Sequence, residues 1–238
     1  MRLTIQLKSI FLLLCVLSGC GGGGGGASNS SSPVNAAPKN IQRVQSPSLP
    51  IYVAGVTFKA KGSGGTLWSA TYSSTAAGTS MFNQQVAYAT AVSFTVSQGA
   101  TVVDGESVTE FALMNPFSPL GSAVGFSGLP GRLSIRNVTS YTPLPSVLSV
   151  GDSGTLLSGS TNNCCAFSES YTVTEGSPTA VNLNIQRNFP DFGIEHGEAS
   201  LTGLYSGSST MTYAVTDSGV ATLIKILVTI NGNTLTFQ

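Results

Sequence analysis

Alternation of apolar and polar residues dominates the sequence after its first fifty positions, and it predicts β-strands. Between residues 86 and 96, one face of an extended chain carries valine, tyrosine and phenylalanine, and the other carries alanine, serine and threonine. The segment 181–186 alternates valine, leucine and isoleucine with asparagine and glutamine. A period of two is what a strand with one buried face requires. No segment after residue 20 sustains the period of an amphipathic helix, so the pattern predicts an all-β fold.

The segment 220–230 is the strongest predicted strand because it is apolar on both faces. Its even-numbered isoleucines and Val228 share one face, and Leu223 and Leu227 lie on the other. Such a strand is expected near the middle of a sheet. Asn231–Gly232 follows, and this pair favours the positive φ angles of a tight hairpin, so residues 234–237 are predicted to return beside it.

Weaker alternation predicts further short strands, and turn residues separate them. These strands are expected at residues 52–58, 66–72, 108–113, 133–138, 155–157, 167–174 and 211–215. Glu175–Pro178 is predicted to be a hairpin turn. Many short strands between such turns indicate an antiparallel β-sandwich or an open barrel over residues 51–238. A subdivision near residues 141–149, where two prolines interrupt the pattern, remains open.

The first fifty residues have a different character. Arg2 and Lys8 flank an apolar run at residues 10–17, which is far shorter than the roughly 20 residues of a membrane-spanning helix and is typical of a signal peptide. Residues 20–50 are rich in glycine, serine, asparagine and proline. Such a segment cannot bury enough apolar surface to offset its ordering entropy, so a disordered linker is expected there.

Leu17-Ser18-Gly19-Cys20 resembles the lipobox of bacterial lipoprotein precursors. The resemblance implies that residues 1–19 are removed as a signal peptide and that Cys20 becomes the lipidated first residue, with a diacylglyceryl thioether and usually an N-acyl chain. Two or more chains anchor a protein stably in a membrane. Gly21, in place of an aspartate, favours the outer membrane in this family. Cleavage as an ordinary signal peptide is the alternative. The mature domain resembles only uncharacterised β-rich bacterial lipoproteins, which implies no activity.

Charge and the Gly151–Gly154 motif exclude two classes of function. All ten acidic residues but only six of the ten basic ones lie in residues 51–238, which argues against the basic patch of a nucleic-acid-binding protein. Gly151-Asp152-Ser153-Gly154 matches the nucleophile string of chymotrypsin-like proteases. Those enzymes place their histidine before the serine, whereas His196 follows it here. We interpret the motif as a turn, with positive φ at glycine and side-chain bonds to the local backbone.

One polar segment, residues 188–198, holds the chain's sole histidine and three acids. Its candidate ligands are Asp191, Glu195, His196 and Glu198. Carboxylates and an imidazole close together can bind a cation or relay a proton. Their spacing matches neither the paired histidines of zinc proteases nor an EF-hand. A polar connecting loop is expected, with a cation site or a catalytic centre as the alternatives.

Cys164 and Cys165 are the only thiols that remain once Cys20 is lipidated and the signal peptide is removed. They are adjacent and are expected in an oxidising compartment, so a vicinal disulfide at a turn is predicted. A pair of free thiols, or a redox or metal-binding pair, are the alternatives. The chain has no C-x-x-C spacing, so an oxidoreductase is not indicated.

Together these features favour a lipid-anchored protein of the bacterial cell envelope with a non-catalytic binding or structural role. The membrane is the expected partner through Cys20, a protein or glycan partner stays open, and no cofactor is predicted. An envelope hydrolase or cation-dependent enzyme using Asp191–Glu198 is one alternative. A redox or metal-handling lipoprotein using Cys164 and Cys165 is another.

Overall fold

Every regular element that the structure describes is a β-strand, which confirms the all-β fold. The computed structural model describes residues 41–47, 58–61, 68–126, 133–161, 164–190, 207–230 and 233–238. The strands are β1 (Arg43–Gln45), β2 (Phe58–Lys61), β3 (Trp68–Phe82), β4 (Gln85–Gln98), β5 (Thr101–Met114), β6 (Phe117–Phe126), β7 (Leu133–Tyr141), β8 (Val147–Ser149), β9 (Ser153–Thr161), β10 (Ala166–Ser177), β11 (Ala180–Phe189), β12 (Gly207–Thr216), β13 (Ala221–Ile230) and β14 (Asn233–Phe237). In this part of the chain there is no helix with the length and apolarity needed to cross a membrane.

Twelve of these strands form one antiparallel sheet. Its order is β14-β13-β12-β11-β10-β9-β7-β6-β5-β4-β3-β2, a meander that omits only β1 and β8. The two edge strands, β14 and β2, approach each other. The sheet therefore curls into a nearly closed barrel, which is the open-barrel form of the predicted fold. Because β7 pairs directly with β9, the sheet continues past residues 141–149 and is not divided there.

A small second sheet covers one end of the barrel. β1 pairs with β8, and the side chains of Val44 and Leu148 face each other across the pair and are buried in the barrel's core. The backbone N–H of Gln45 donates to the carbonyl of Asp217 at 3.2 Å, which holds β1 against the turn between β12 and β13. The expectation that residues 20–50 form a disordered linker is therefore wrong for β1. Only one of its three side chains is apolar, so alternation gave no signal.

The barrel interior is apolar next to β1 and β8 and changes character along the strands. β11 shows the change most clearly. Val181, Leu183 and Ile185 are buried in the core, whereas Arg187 and Phe189, the next residues on the same face, are only partly buried. The other core residues come from β3, β4, β9, β10, β12, β13 and β14, and they include Tyr72, Val92, Phe94, Val96, Tyr171, Val173, Met211, Tyr213, Val215, Leu223, Ile226, Leu235 and Phe237.

The β3–β4 hairpin departs from the predicted burial. Val86 and Tyr88 were expected to be buried on the face of Val92, yet they are 64% and 56% exposed. A bulge in β3 between Ala76 and Gly78 re-aims the hairpin tip, which projects past the barrel's core. Its other face is buried instead, in a cluster outside the barrel. This outer cluster consists of Phe82, Ala87, Ala89 and Phe111.

β13 also departs from simple alternation. A bulge between Thr212 and Tyr213 on β12 leaves one extra residue in β13, so Leu223 and Ile226 both enter the core. Ile224, which was expected to share the core face, is 39% exposed. The strand lies between β12 and the edge strand β14, rather than in the middle of the sheet.

Two predicted hairpins are present. β10 and β11 pair directly and are joined at Pro178–Thr179, at the end of the predicted turn. β13 and β14 pair antiparallel, with Ile230 opposite Asn233. Asn231–Gly232 itself and the predicted strand at residues 52–57 lie outside the described residues.

Gly121 on β6 lies directly against Phe82, at the tip of the β3–β4 hairpin. The ring of Phe82 stacks on Phe111 with 4.5 Å between centroids. A Cβ atom on Gly121 would lie 2.7 Å from Cζ of Phe82 and would collide with the backbone carbonyl of Arg136. Only glycine admits both neighbours, and its φ of +153° adds to the restriction.

We therefore expect Gly121→Ala to lower the free energy of unfolding by roughly 3 kcal/mol, through overpacking against backbone that cannot move aside. Gly125→Ala on the same strand is the matched control, because its Cβ would meet Leu133 Cδ2 at an ordinary 3.5 Å. Urea unfolding of the two variants measures the difference. Equal effects would contradict the close approach at Gly121.

Candidate functional site

The barrel encloses a cavity of about 180 Å³ at the end away from β1 and β8. Its charged lining residues come from four strands, and they are Glu106 and Glu110 on β5, Arg136 on β7, Glu169 on β10 and Arg187 on β11. We call this space the charged cavity. A smaller space of about 60 Å³ shares Glu106, Arg187 and Phe189 with it and extends to Asp104 on β5.

Strand pairing brings these charges together. Glu169 lies directly opposite Arg187 in the β10–β11 register, and both face the interior. Glu110 lies opposite Ser122, which in turn lies opposite Arg136. Facing residues on neighbouring strands are about 5 Å apart at Cβ, so each of these positions is within side-chain reach of the next.

Arg187 lies between two carboxylates. Its Nε atom is 3.1 Å from Oε1 of Glu169, and its Nη2 atom is 3.7 Å from Oε1 of Glu110. The three side chains are only 12%, 9% and 16% exposed, respectively. Ion pairs of this kind are costly to form and costly to break, because removal of one partner leaves the other charge poorly solvated.

Arg136 packs on an aromatic ring. Its guanidinium carbon is 3.7 Å from the centroid of the Phe189 ring, and the residue is only 5% exposed. Phe167 lies next to Phe189 with 6.2 Å between ring centroids. A guanidinium over a ring face is attracted by the ring quadrupole, and the attraction is strongest where water is excluded. The lining of the cavity thus already contains one cation, Arg136, that packs on an aromatic face.

The cavity alters the ionisation of Glu110. Burial raises the pKa of Glu110 to about 8, Arg187 opposes the rise, and Glu169 adds to it. Arg187 is closer to Glu169 than to Glu110, so its charge compensates Glu110 incompletely. Oε2 of Glu110 is buried and accepts no hydrogen bond in the described structure. Glu110 is therefore a neutral carboxylic acid at neutral pH.

Two further acids are affected in the same direction. Burial raises the pKa of Glu106, with Arg136 opposing the rise. Burial also raises the pKa of Asp104, and a backbone hydrogen bond from Gly105 partly offsets this. Acids in this part of the barrel are thus under-compensated by positive charge.

Exposed apolar side chains lie on the β3–β4 hairpin and at the end of β5, beside the cavity. Met81 pairs with Val86, and Tyr88, two residues further along β4, lines the cavity together with Met114. By alternation these four side chains share the inner face of the two projecting hairpins. We call them the apolar rim. Exposed apolar groups next to a concave site are typical of ligand binding.

Most of the predicted site residues lie outside the described residues. This holds for Cys20 and for the candidate cation ligands Asp191, Glu195, His196 and Glu198, so those hypotheses stay predictions. Among the described residues, no group of three or more His, Cys, Asp or Glu is placed to hold a metal ion.

Cys164 and Cys165 form a disulfide at the end of the β9–β10 hairpin. Thr161 makes two hydrogen bonds to the backbone of Cys165. Its Oγ1 atom accepts a hydrogen bond from the N–H of Cys165 at 3.1 Å, and its own N–H donates to the carbonyl of Cys165 at 2.9 Å. The two bonds tie Cys165 to Thr161, and Phe167, two residues after Cys165, lines the charged cavity.

The Gly151–Gly154 motif forms the turn that its residue types predict. Gly151 has a φ of +99°, and Oδ2 of Asp152 accepts a hydrogen bond from the N–H of Ser149 at 2.7 Å. The carbonyl of Asp152 accepts from the N–H of Val173 at 2.8 Å, which ties the turn to β10. The motif is accounted for by this structural role.

Sequence reasoning missed the charged cavity. One signal for it was present in β11, where the alternation of Val181, Leu183 and Ile185 continues onto Arg187 and so predicts an inward-facing arginine. On β5, Glu106 and Glu110 flank Val108 on one face in the same manner. A charge at a core position is the pattern that would have singled out these residues.

We expect Glu110→Gln to stabilise the protein at high pH. A carboxyl whose pKa is raised by folding contributes stability below its unfolded value of 4.5, and that stability is lost as the pH rises through about 8. Glutamine cannot ionise, so the variant should gain roughly 2 kcal/mol over the wild type between pH 5 and pH 8. Urea unfolding at several pH values, with exposed Glu175→Gln as control, measures this. Parallel pH profiles for Glu110→Gln and the wild type would contradict the buried neutral acid.

Comparison of the chain with protein-family models, with curated proteins and with solved structures finds no match.

Proposed function

We propose that this chain is a lipid-anchored protein of the bacterial cell envelope that binds a small ligand in the charged cavity. The observation that carries the proposal is the placement of five charged side chains inside a barrel whose other end is filled by apolar residues. Inward-facing charges cost several kcal/mol each when they leave water, and apolar residues of similar volume would avoid that cost. Groups retained at such a cost are characteristic of functional sites.

The shape and lining of the cavity support small-molecule binding. About 180 Å³ is well above the space that one water molecule needs, so a small ligand fits. Ligand pockets combine apolar and aromatic walls with a few fixed polar groups, and here Phe167 and Phe189 supply the walls. Arg187, held between Glu110 and Glu169, supplies polar groups in a fixed orientation.

An acid–base enzyme is the second candidate, and one observation favours it. Glu110 is protonated at neutral pH and lies beside Glu169, which is paired with Arg187. Two carboxyl groups in different environments are the arrangement of a general acid and its partner. Recovery of the ligand unchanged after long incubation supports binding alone. Conversion that is lost in Glu110→Gln would favour the enzyme.

The anchor is proposed on the lipobox resemblance of Leu17–Cys20 and the short apolar run before it. We expect Cys20→Ala to remain an unprocessed precursor that incorporates no labelled fatty acid. Cys15→Ala is the matched control, because this cysteine lies within the segment that processing removes. Metabolic acyl labelling and membrane fractionation measure both variants. A Cys20→Ala protein that matures and carries label would refute the anchor.

Cavity binding is tested with a small aromatic set of three charge types, namely benzylamine, benzyl alcohol and phenylacetate. We expect at least one to raise the melting temperature by roughly 3 to 6 °C at ten times its Kd, because it binds only the folded state. Val138→Trp, which fills the cavity from β7, should abolish the rise. Val220→Trp, at a position 59% exposed, should retain it. A rise that survives Val138→Trp, or no rise with any probe, would overturn the proposal.

A further inference from the structure

We propose that the ligand of the charged cavity is an organic cation, with an ammonium group held among the carboxyl groups and a small apolar body on the apolar rim. This inference rests on the proposed function and adds the chemical class of the ligand. It is carried by the balance of charge in the cavity, by buried oxygen atoms without donors, and by the aromatic groups at the mouth.

The balance of charge favours a positive ligand when the acids are ionised. In their ionised forms the three acids of the charged cavity outnumber its two arginines, and Asp104 adds a fourth acid in the adjoining space. Both arginines already have interactions within the barrel. Arg187 pairs with Glu169 and Glu110, and Arg136 lies over the ring of Phe189. An incoming cation adds positive charge where the acids are under-compensated.

Two buried carboxyl oxygen atoms lack a donor in the described structure. They are Oε2 of Glu110 and Oδ1 of Asp104, both on β5. A buried acceptor without a donor costs free energy, and a ligand that supplies N–H groups recovers it. Glu110 lines the charged cavity, and Asp104 lines the smaller space beside it. An ammonium group offers several N–H donors together with the missing charge.

The aromatic side chains suit the same ligand. Tyr88 and Phe117 line the cavity towards its mouth, and Phe167 and Phe189 line it further inside. Ring faces attract ammonium groups as they attract the guanidinium of Arg136. Met81, Val86 and Met114 are exposed beside Tyr88, and an apolar body bound there would cover them.

Anions and metal ions fit less well. An anion would approach Glu106 and Glu169 and would have to draw Arg187 from its present ion pairs, so it would leave Glu110 and Glu169 less compensated. A bare metal ion needs several oxygen or nitrogen ligands around one point. Among the described residues no such group of acids, cysteines and histidines exists.

The class of ligand has a consequence for the pH dependence of binding. The charged and titratable groups that share the barrel interior with Glu110 are Glu106 on its own strand, Arg136 on β7, Glu169 on β10, Arg187 on β11, Tyr72 on β3 and Tyr213 on β12. An ammonium group favours the ionised form of Glu110, so binding below about pH 8 releases a proton to the solvent. Affinity should therefore rise by up to about tenfold per pH unit towards pH 8 and then level off.

The experiment is calorimetric titration of the detergent-solubilised full chain with benzylamine, benzyl alcohol and phenylacetate from pH 6 to pH 9. Benzylamine, as the ammonium ion, should bind at least about tenfold more tightly than the neutral and anionic probes at pH 8. Glu110→Gln should weaken it by about tenfold or more and remove the rise with pH. Glu106→Gln should also weaken it, which provides a second variant if the first fails to fold. Glu175→Gln, at an exposed position, should change nothing.

The outcomes separate the two proposals. Equal or tighter binding of benzyl alcohol or phenylacetate, abolished by Val138→Trp, would overturn the organic cation and leave cavity binding intact. No binding of any probe would overturn cavity binding and the cation together. Preferential binding of benzylamine that Val138→Trp does not affect would place the cation elsewhere and would overturn both.

Discussion

Curling of one antiparallel sheet brings side chains from β3 around to β14 into a single interior. Eight strands already enclose a space that side chains just fill, and the diameter grows with strand number. A twelve-stranded barrel therefore needs additional material or retains a cavity. At one end, β1 and β8 supply the material through Val44 and Leu148. At the other end no such pair of strands is present among the described residues, and the remaining space is the charged cavity.

The electrostatics of the charged cavity depend on how Arg187 is shared between two acids. Arg187 is 3.1 Å from Glu169 and 3.7 Å from Glu110, so two acids compete for one guanidinium group. The acid that is less well compensated keeps its proton, and Glu110 is that acid. The cavity thus holds a proton that an arriving positive charge can displace. Under the proposed function, ligand binding and protonation are linked through this one site, by the same electrostatics that makes the site costly to fold.

Local patterns predicted the strands well and the interior poorly. Alternation located β4, β11 and β12 because each buries one face over several residues. It misplaced Val86 and Tyr88, which keep the face of Val92 but lie on a hairpin tip beyond the barrel's core. It misplaced Ile224 because β13 has one extra residue opposite Thr212 and Tyr213, and such a bulge leaves no mark in the periodicity. The cavity depends on which strands are neighbours around a closed sheet. That arrangement brings Glu110 beside Arg187 from distant parts of the chain, and no spacing within either strand encodes it.

The two ends of the barrel contribute differently to the stability of the fold. The apolar end buries large side chains of eight strands around Val44 and Leu148, and burial of this kind contributes about 25 cal/mol for each Å² removed from water. The charged end contributes little of that and carries the desolvation cost of Glu106, Glu110 and Arg187. A barrel lined only by charged residues would be marginally stable, because no apolar burial within the cavity would offset the desolvation cost of those residues. The β1–β8 pair therefore has a functional consequence at a distance, since the core that it completes provides the stability that the charged cavity requires.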